Sequence, residues 1–226
     1  MRRDGLVAVR LEIDGAERLF APAALVVIGY AGRDRAAVEH HIDELAALGV
    51  ARPASIPLFM VFPPGLITQE PSIAVTGPNS SGEAEIVVVV DSDETFVTVG
   101  SDHTDRDLEA VHMIASKAVC PKPVAASGWA ANAVGDRWDG LVLRSHIDGD
   151  VLYQDGSAAM NLHPLELVAA IPWAGGPPDC FVAFTGTVPV IGDIRPSTGF
   201  RAELDGPGLP PIELSYRVET VPELAV

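Results

Sequence analysis

The chain of 226 residues is longer than a typical domain, and it holds 15 Lys and Arg against 31 Asp and Glu, a formal charge of −16. This acidity disfavours nucleic-acid binding, because the chain has no general attraction for phosphate backbones. Hydrophobic residues make up 48% and charged residues 20%, which predicts a packed core and excludes a disordered chain.

The first half of the chain combines strand patterns with one helix pattern. Strands are predicted at Leu6–Ile13, Ala24–Tyr30, Leu58–Phe62, Ser72–Thr76, Glu83–Val90 and Thr95–Gly100. Apolar residues at helical spacing predict a helix over Arg33–Leu48, with Asp34 as its cap and Gly49 after its end. Composition predicts a loop at Gly77–Gly82. The Asp91–Glu94 stretch predicts a tight turn that makes the strands on either side of it neighbours.

The second half adds two predicted helices and further strands. Acidic residues at the start of Asp105–Val119 and its apolar spacing predict a helix. His163–Ile171 is predicted as a short helix with Pro164 in its first turn. The Asp148–Asp150 stretch predicts a hairpin turn. Strands are predicted at Leu141–Ile147, Val151–Gln154, Cys180–Phe184, Phe200–Leu204 and Ile212–Val218.

These elements predict the fold class. Strands far outnumber helices and no strand–helix–strand alternation persists, which favours an α+β protein with a mixed, strand-rich sheet and a few peripheral helices. No internal repeat and no long linker is visible, so we expect a single domain over residues 1–226. No apolar stretch of about eighteen residues and no signal-peptide pattern is visible either, which predicts a protein that does not contact membranes. The only cysteines, Cys120 and Cys180, are expected to be reduced, which favours a cytoplasmic location.

The Glu83-Ala84-Glu85 sequence at the start of a strand is the most informative chemical feature. Residues two apart on a strand face the same side, roughly 6–7 Å apart, so both carboxylates project together. Asp102 follows the next predicted strand, and the turn between the strands would bring it near Glu83. Three carboxylates suit Mg²⁺, with Mn²⁺ or Ca²⁺ as alternatives, and do not suit zinc. The alternative interpretation is a solvated strand end that binds no metal.

The motifs that surround these acids resemble the fumarylacetoacetate hydrolase superfamily. The run from Ser81 to Val89 is similar to its Glu-x-Glu strand, and Val99 to Asp107 is similar to its Asn-Asp-x-Ser-x-Arg-Asp turn. Later segments follow in the same order. They are Ser116-Lys117 with Pro121 and Pro123, the Asp148–Ser157 hairpin with Met160, and Thr185-Gly186-Thr187 with Gly192. The whole chain is similar to a bacterial branch of that superfamily known as a domain of unknown function.

The resemblance implies a fold and a set of site residues. The fold is of the fumarylacetoacetase C-terminal-domain type, a partly open barrel or β-roll, with residues 1–55 divergent and residues 56–220 carrying the motifs. It implies that Glu83, Glu85 and Asp102 hold the metal and that Lys117 reaches the substrate. Gln154, Gly186 and Thr187 are expected to contact the substrate as well. Members of the superfamily are commonly dimers, which implies a homodimer here.

Two further groups of residues are candidates with open alternatives. His41 and Glu44 keep the His-x-x-Glu spacing of the superfamily's water-activating pair inside the predicted helix, where they can share a proton or be an ordinary exposed histidine and glutamate. His103 adjoins Asp102 and is a candidate substrate contact. Arg106 is either a substrate contact or part of an internal ion pair.

The resemblance and the acidic cluster together predict a function. We expect a metal-dependent hydrolase that cleaves a carbon–carbon bond in a 1,3-dicarbonyl or acylpyruvate-type small molecule. The alternatives are a decarboxylase or isomerase of an α-keto acid that uses the same metal–enolate chemistry, and a ligand-binding relative without catalysis.

Overall fold

The computed structural model describes residues 7–47 and 52–222, without the side chains of residues 41, 44 and 45. The strands are β1 (Val9–Ile13), β2 (Ala16–Phe20), β3 (Ala24–Gly29), β4 (Leu58–Phe62), β5 (Ile67–Thr68), β6 (Ser72–Val75), β7 (Ser80–Ser81), β8 (Ala84–Asp91), β9 (Glu94–Ser101), β10 (Thr104–Asp105), β11 (Lys122–Pro123), β12 (Trp129–Ala130), β13 (Val142–Ile147), β14 (Val151–Ser157), β15 (Cys180–Thr187), β16 (Gly199–Asp205) and β17 (Ile212–Thr220). The helices are α1 (Arg35–Ala47), α2 (Arg106–Glu109), α3 (Met113–Ala118), α4 (Ala131–Val134) and α5 (Pro164–Ala169). Short 3₁₀ turns lie at Pro64–Leu66, Gly135–Gly140 and Ala158–Met160.

Two mixed sheets hold most of these strands. The six-stranded sheet has the order β12-β9-β8-β15-β3-β4, in which only β15 and β3 run parallel. The five-stranded sheet has the order β14-β13-β16-β17-β6, in which only β17 and β6 run parallel. The predicted α+β class with mixed, strand-rich sheets is therefore confirmed. The partly open barrel or β-roll stays a prediction, because the pairing of the described strands defines separate sheets and no closed barrel.

Strand β8 lies at the centre of the core and is buried on both faces. On one face Ile86 belongs to an apolar cluster with Leu143 and Leu204 of the five-stranded sheet. On the other face Val87 belongs to a cluster with Leu11 of the β1–β2 hairpin. A strand covered on both sides needs an apolar residue at every position, which explains its run of valines. The two carboxylates that precede this run are thereby fixed to a rigid element.

The prediction of one continuous helix over Asp105–Val119 is wrong, because the chain forms two short helices there. Asp105 caps α2 by accepting a hydrogen bond from the Leu108 amide at 2.9 Å. His112 then adopts an extended conformation with φ −156°, and its Nδ1 accepts from the Ala115 amide at 3.3 Å to cap α3. The break makes α3, which carries Lys117, a separate helix.

The other predicted elements differ from the structure mainly at their ends. The predicted loop at Gly77–Gly82 contains β7, which pairs with β10. The Asp14-Gly15 turn, with φ of +52° and +77°, connects β1 to β2, a strand that the sequence patterns do not reveal. Leu6 and Leu48, the ends of two predicted elements, lie outside the described residues. The division into residues 1–55 and 56–220 stays a prediction, although β3 pairs directly with β15 inside the main sheet.

Two further findings concern the remaining expectations about the chain. Within the described residues, no helix has the length and apolar character needed to cross a membrane. Cys120 and Cys180 are both buried, and no disulfide joins them.

Candidate active site

The β8–β9 hairpin brings three carboxylates together at the edge of its ladder. The antiparallel register ends with Ala84 opposite Ser101, so Glu83 and Asp102 form the next pair. The Asp102 amide donates to the Glu83 carbonyl at 2.9 Å, which extends the ladder by one step. Glu85 lies two residues after Glu83 and shares its face. One carboxylate oxygen from each of Glu83, Glu85 and Asp102 lies within 4.8 Å of the other two.

A β-bulge in β15 holds the Glu85 carboxylate. The pairing of β15 with β8 shifts between Phe184 and Thr187, and Gly186 inside the bulge has φ +100°. The Gly186 amide donates to Glu85 Oε2 at 2.8 Å. A Cβ atom on Gly186 would lie 2.8 Å from the Cβ of Ala31. Both the backbone angle and the available space therefore require glycine at this position.

Two buried lysines face Asp102, whose side chain is 1% exposed. Lys117 of α3 donates to Asp102 Oδ2, and its Nζ lies 3.3 Å from Glu83 Oε2. The Nζ of Lys122 in β11 lies 3.0 Å from Asp102 Oδ1, but this ionic contact is not aligned as a hydrogen bond. Lys122 donates its hydrogen bond to the His103 carbonyl at 2.6 Å. Asp102 is thus neutralised from two sides.

Burial and charge set the protonation states of this cluster. Burial acts most strongly on Asp102 and would raise its pKa, but Lys117 and Lys122 outweigh it and lower the pKa to about 2. Burial, followed by repulsion from Asp102 and Glu83, raises the pKa of Glu85 well above its ordinary value. Burial would lower the pKa of Lys117, but the neighbouring carboxylates raise it. Asp102 and Lys117 are therefore charged at neutral pH, whereas Glu85 keeps its proton to a higher pH than an exposed glutamate.

Arg106 of α2 supports Glu83 from the side. Its Nε donates to Ser81 Oγ at 2.7 Å and its Nη1 donates to Glu109 Oε2 at 2.7 Å. Its Nη2 lies 3.4 Å from Glu83 Oε1 without an aligned hydrogen bond, although the side chain is only 9% exposed. Arg106 therefore pairs with two carboxylates, and it does not line the cleft that opens above them.

This cleft has a volume of about 1040 Å³. Its charged lining residues are Arg33, Asp34, Glu83, Glu85, Asp102, Glu109 and Lys117, and Asn161 and Thr187 add uncharged polar groups. The rest of the lining comes mainly from apolar residues of the β3–α1 connection, α3, the Ala158–Met160 turn and the segment after β15. These residues include Tyr30, Ala31, Val38, Met113, Met160, Val188 and Val190. A concave, largely apolar surface with a few convergent charged groups is typical of a small-molecule site.

His103 lies behind the cleft and does not line it. It is fully buried, with Nδ1 2.9 Å from Tyr216 Oη and Nε2 2.9 Å from Ser80 Oγ. Burial, followed by the positive charges of Lys122 and Arg106, lowers the pKa of His103 to about 3. The structure therefore places a neutral imidazole in an internal hydrogen-bond network.

Gln154 is also fully buried, and it links three segments of the site. Its Oε1 accepts from the Ala84 amide at 2.9 Å and from Ser145 Oγ at 2.7 Å. Its Nε2 donates to Thr187 Oγ1 at 2.8 Å and to the Val188 carbonyl at 2.6 Å. Thr187 lines the cleft, but its hydroxyl donates to the Ala84 carbonyl at 2.7 Å. These two side chains hold the start of β8 against the end of β15.

Replacing Gln154 with Leu is expected to lower the free energy of unfolding by about 2–4 kcal/mol, because the Ala84 amide and the Val188 carbonyl would remain buried without their partner. Urea-induced unfolding followed by circular dichroism measures this change. Asp155→Ala, at the next and exposed position of β14, is the control and should cost less than about 0.5 kcal/mol. Equal unfolding midpoints for the two variants would contradict the linking role of Gln154.

The predicted pair of His41 and Glu44 lies in α1, whose first turns contribute Ala37 and Val38 to the lining of the cleft. The side chains of His41 and Glu44 lie outside the described part of the structure. Their role as a water-activating pair therefore stays a prediction.

Sequence reasoning does not identify three residues close to the carboxylates. Glu109 lines the cleft, and its i,i+3 spacing from Arg106 is a local signal for their ion pair. Lys122 lies five residues after Lys117, and nothing local shows that both reach Asp102. Tyr30 directly follows β3, has φ +54° and lines the cleft, where burial, followed by Glu109, raises its pKa.

The affinity for Mn²⁺ is expected to increase with pH, because a cation bound at Glu85 must displace its proton. The increase should approach about tenfold per pH unit between the ordinary glutamate pKa and the raised pKa of Glu85, and then level off. Over the same range the metal-free protein should lose stability, since the unfolded chain releases this proton more readily than the folded one. Calorimetric titrations with Mn²⁺ from pH 5 to 8 check this, and Glu85→Gln should remove the dependence. If the affinity of the unsubstituted protein for Mn²⁺ stays constant from pH 5 to 8, the inference that Glu85 is protonated in the metal-free protein is wrong.

Several solved structures have the same fold, and three of them show its range. A proposed fumarylacetoacetate isomerase/hydrolase from Oleispira antarctica gives a TM-score of 0.66 at 19% identity, over 92% of this chain and 99% of its own. Fumarylpyruvate hydrolase from Pseudomonas aeruginosa, in complex with Mn²⁺ and pyruvate, gives 0.64 at 19% identity, over 98% of this chain and 99% of its own. A 2-keto-3-deoxyarabinonate dehydratase gives 0.64 at 17% identity, over 92% of this chain and 77% of its own.

The fold is thus the one found in fumarylacetoacetate hydrolase-like proteins. Residues 28–216 match the family described as "Protein of unknown function (DUF2848)", and the chain belongs to this family. The predicted resemblance is therefore confirmed in both parts, the fold of that superfamily and the match to a family of unknown function. Comparison with curated protein sequences gave no match.

Proposed function

We propose that the protein is a divalent-metal-dependent hydrolase that cleaves a carbon–carbon bond in an acylpyruvate or a related 1,3-dicarbonyl compound. The observation that carries this proposal is the cluster of Glu83, Glu85 and Asp102, whose oxygens lie within 4.8 Å of one another. The cluster lines a cleft together with the Lys117 ammonium. The structural neighbour from Pseudomonas aeruginosa, a fumarylpyruvate hydrolase in complex with Mn²⁺ and pyruvate, supports the choice of substrate class.

The three carboxylates fit a hard dication. They offer only oxygen donors, which Mg²⁺, Mn²⁺ and Ca²⁺ prefer. Asp102 Oδ1 is buried without an aligned hydrogen bond. Burial, followed by repulsion from Asp102 and Glu83, raises the pKa of Glu85. A cation held by Glu83, Glu85 and Asp102 would give the unpaired Asp102 oxygen a partner and would relieve the repulsion that acts on Glu85. The chemistry it supplies when bound is Lewis-acid polarisation of the substrate oxygens.

The residues of the chain would bind the substrate and move its protons. Lys117 lines the cleft as an ammonium and would attract a substrate carboxylate or carbonyl oxygen. His41, assisted by Glu44, would take a proton from water as its oxygen adds to the acyl carbonyl carbon. The carbon–carbon bond then breaks, and its electron pair forms the enolate of the pyruvate fragment. Protonation of that enolate gives pyruvate, and the acyl fragment leaves as a carboxylic acid.

A second candidate function uses the same cluster on an α-keto acid without hydrolysis, as an isomerase, a decarboxylase or another lyase. The dehydratase among the structural neighbours supports this alternative, because it shows that the fold is also found in an enzyme that eliminates water. A cytoplasmic location and a homodimer are further proposals, which rest on the sequence and on the resemblance.

Hydrolysis of acylpyruvates in the presence of Mg²⁺ or Mn²⁺ is the direct test of the proposal. The loss of the enol absorbance of the substrate should accompany the release of one pyruvate per turnover. His41→Ala should lower kcat by about 100-fold or more if it activates water, while Mn²⁺ binding stays unchanged. Tight ligand binding without any turnover would overturn the hydrolase assignment and favour a binding protein, whereas turnover of oxaloacetate alone would favour the decarboxylase.

A further inference from the structure

We infer that the part of the substrate beyond its metal-chelating head is apolar. The protein would then act on acylpyruvates or related keto acids with an alkyl or aryl tail, and would reject those with a second carboxylate. This inference rests on the proposed function and specifies the substrate class of the same site. It depends on three features of the cleft, which are the pairing of its cations, the sign of its charge and the apolar character of its remaining wall.

The cations that line the cleft are already paired within the protein. Among the described residues they are Arg33 and Lys117. Arg33 forms a two-pronged pair with Asp139, at 3.0 Å from Nη1 to Oδ2 and at 2.7 Å from Nη2 to Oδ1. Its Nε donates to the Asn161 carbonyl at 3.1 Å. Lys117 pairs with Asp102 and is also the group that would meet the head of the substrate. A distal carboxylate therefore finds no unpaired cation among these side chains.

Negative charge dominates the lining of the cleft. Five carboxylic acids line it against the two cations, namely Asp34, Glu83, Glu85, Asp102 and Glu109. A dication bound by three of them would offset much of this charge near the head of the substrate. Asp34 and Glu109 lie outside that set. Glu109 is paired with Arg106 at 2.7 Å, so Asp34 is the like charge that a carboxylate in the tail of the substrate would meet in the rest of the cleft. The expected effect is repulsion of dicarboxylates.

The remaining wall is apolar and accessible. Val38, Met113, Met160 and Val190 line the cleft and are all at least partly exposed, with Met160 at 46%. Covering these groups with an alkyl or aryl tail removes apolar surface from water, which favours binding. A carboxylate at the same place would lose hydration without gaining a partner. This wall therefore favours substrates with an apolar tail over substrates with a charged tail.

Two α-keto acids of the same shape test the inference by binding alone. In 5-methyl-2-oxohexanoate an isopropyl group takes the place of the distal carboxylate of 2-oxoglutarate, while the chelating head is the same. With the Mn²⁺-loaded protein, calorimetry should give a Kd for the isopropyl compound that is lower by about tenfold or more. Equal affinity, or tighter binding of 2-oxoglutarate, would overturn the inference and leave the proposed function intact. Failure of both compounds to bind the Mn²⁺-loaded protein would overturn the two together.

A charge introduced into the wall tests its position. Met160→Lys places an ammonium in the cleft and should shift the ratio of the two Kd values by about tenfold or more toward 2-oxoglutarate. Val151→Lys is the matched control, because Val151 is 49% exposed in the β13–β14 hairpin and does not line the cleft. It should leave the ratio unchanged. The inference fails if the two lysine variants give the same ratio.

Discussion

Replacing Asp102 with Asn is expected to lower the free energy of unfolding by about 3–5 kcal/mol and to abolish Mn²⁺ binding at millimolar concentrations. The substitution removes the charge that lies between Lys117 and Lys122, whose side chains are 8% and 0% exposed. Because the pKa of Asp102 is about 2, the native protein carries this charge at every pH at which it is normally handled. Urea-induced unfolding measures the stability of the variant, and calorimetric titration measures its affinity for the cation.

Glu83→Gln separates the two effects and serves as the control. The Glu83 side chain is 17% exposed, and its cationic neighbours Lys117 and Arg106 keep Asp102 and Glu109 as partners when its charge is removed. We expect Mn²⁺ affinity to fall by about tenfold or more, with a loss of less than about 1 kcal/mol in stability. The metal site is refuted if both variants bind Mg²⁺ and Mn²⁺ as tightly as the unsubstituted protein.

The site-bearing strands could be predicted from sequence because their signals are local. The valine run after Glu85 can be buried on both faces only as a central strand, and the residues between Asp91 and Glu94 leave space for nothing longer than a tight turn. Once the two strands pair around that turn, the antiparallel register places Asp102 beside Glu83 without further information. The hydrogen bonds of the ladder thus determine which residues lie opposite each other, so the positions of Glu83 and Asp102 relative to the turn set the distance between them.

The break between α2 and α3 was not predictable from periodicity, because the apolar spacing continues through it. The decisive interaction is the cap that His112 makes to the Ala115 amide, and histidine is a weak signal for a helix start. The same limitation applies to β7, whose two residues pair with Thr104 and Asp105 only because the β8–β9 hairpin has already placed them there. Long-range pairing of this kind leaves no local pattern.

The positions of Lys122 and of the residues that line the cleft depend on tertiary structure in the same way. Lys122 reaches Asp102 from a strand of two residues that pairs with β5, and nothing in its Pro-Lys-Pro setting indicates burial. Tyr30 and Met160 line one cleft although 130 positions separate them in the chain. Sequence motifs therefore identify the residues that would hold the cation, whereas the residues that select the substrate emerge only from the folded chain.

Replacing Lys117 with Met is expected to change metal affinity and catalysis in opposite directions. The Lys117 ammonium donates to Asp102 and lies 3.3 Å from Glu83, so it competes with a dication for the same carboxylates. Its removal should tighten Mn²⁺ binding by about tenfold or more. The same removal takes away the positive charge that lines the cleft, so kcat/KM for acylpyruvates should fall by about 100-fold. Calorimetry and steady-state kinetics on the same preparation measure both changes.

Lys122→Met distinguishes this double role from a general effect of charge. Lys122 also faces Asp102, at 3.0 Å, but it is fully buried and does not line the cleft. Its replacement should also tighten Mn²⁺ binding, since one positive charge next to Asp102 is lost. It should leave kcat within about threefold of the unsubstituted value for the protein that remains folded, because no substrate reaches this lysine. An equal fall in kcat/KM for the two variants would show that Lys117 acts only through Asp102, and the proposed contact between Lys117 and the substrate would then be wrong.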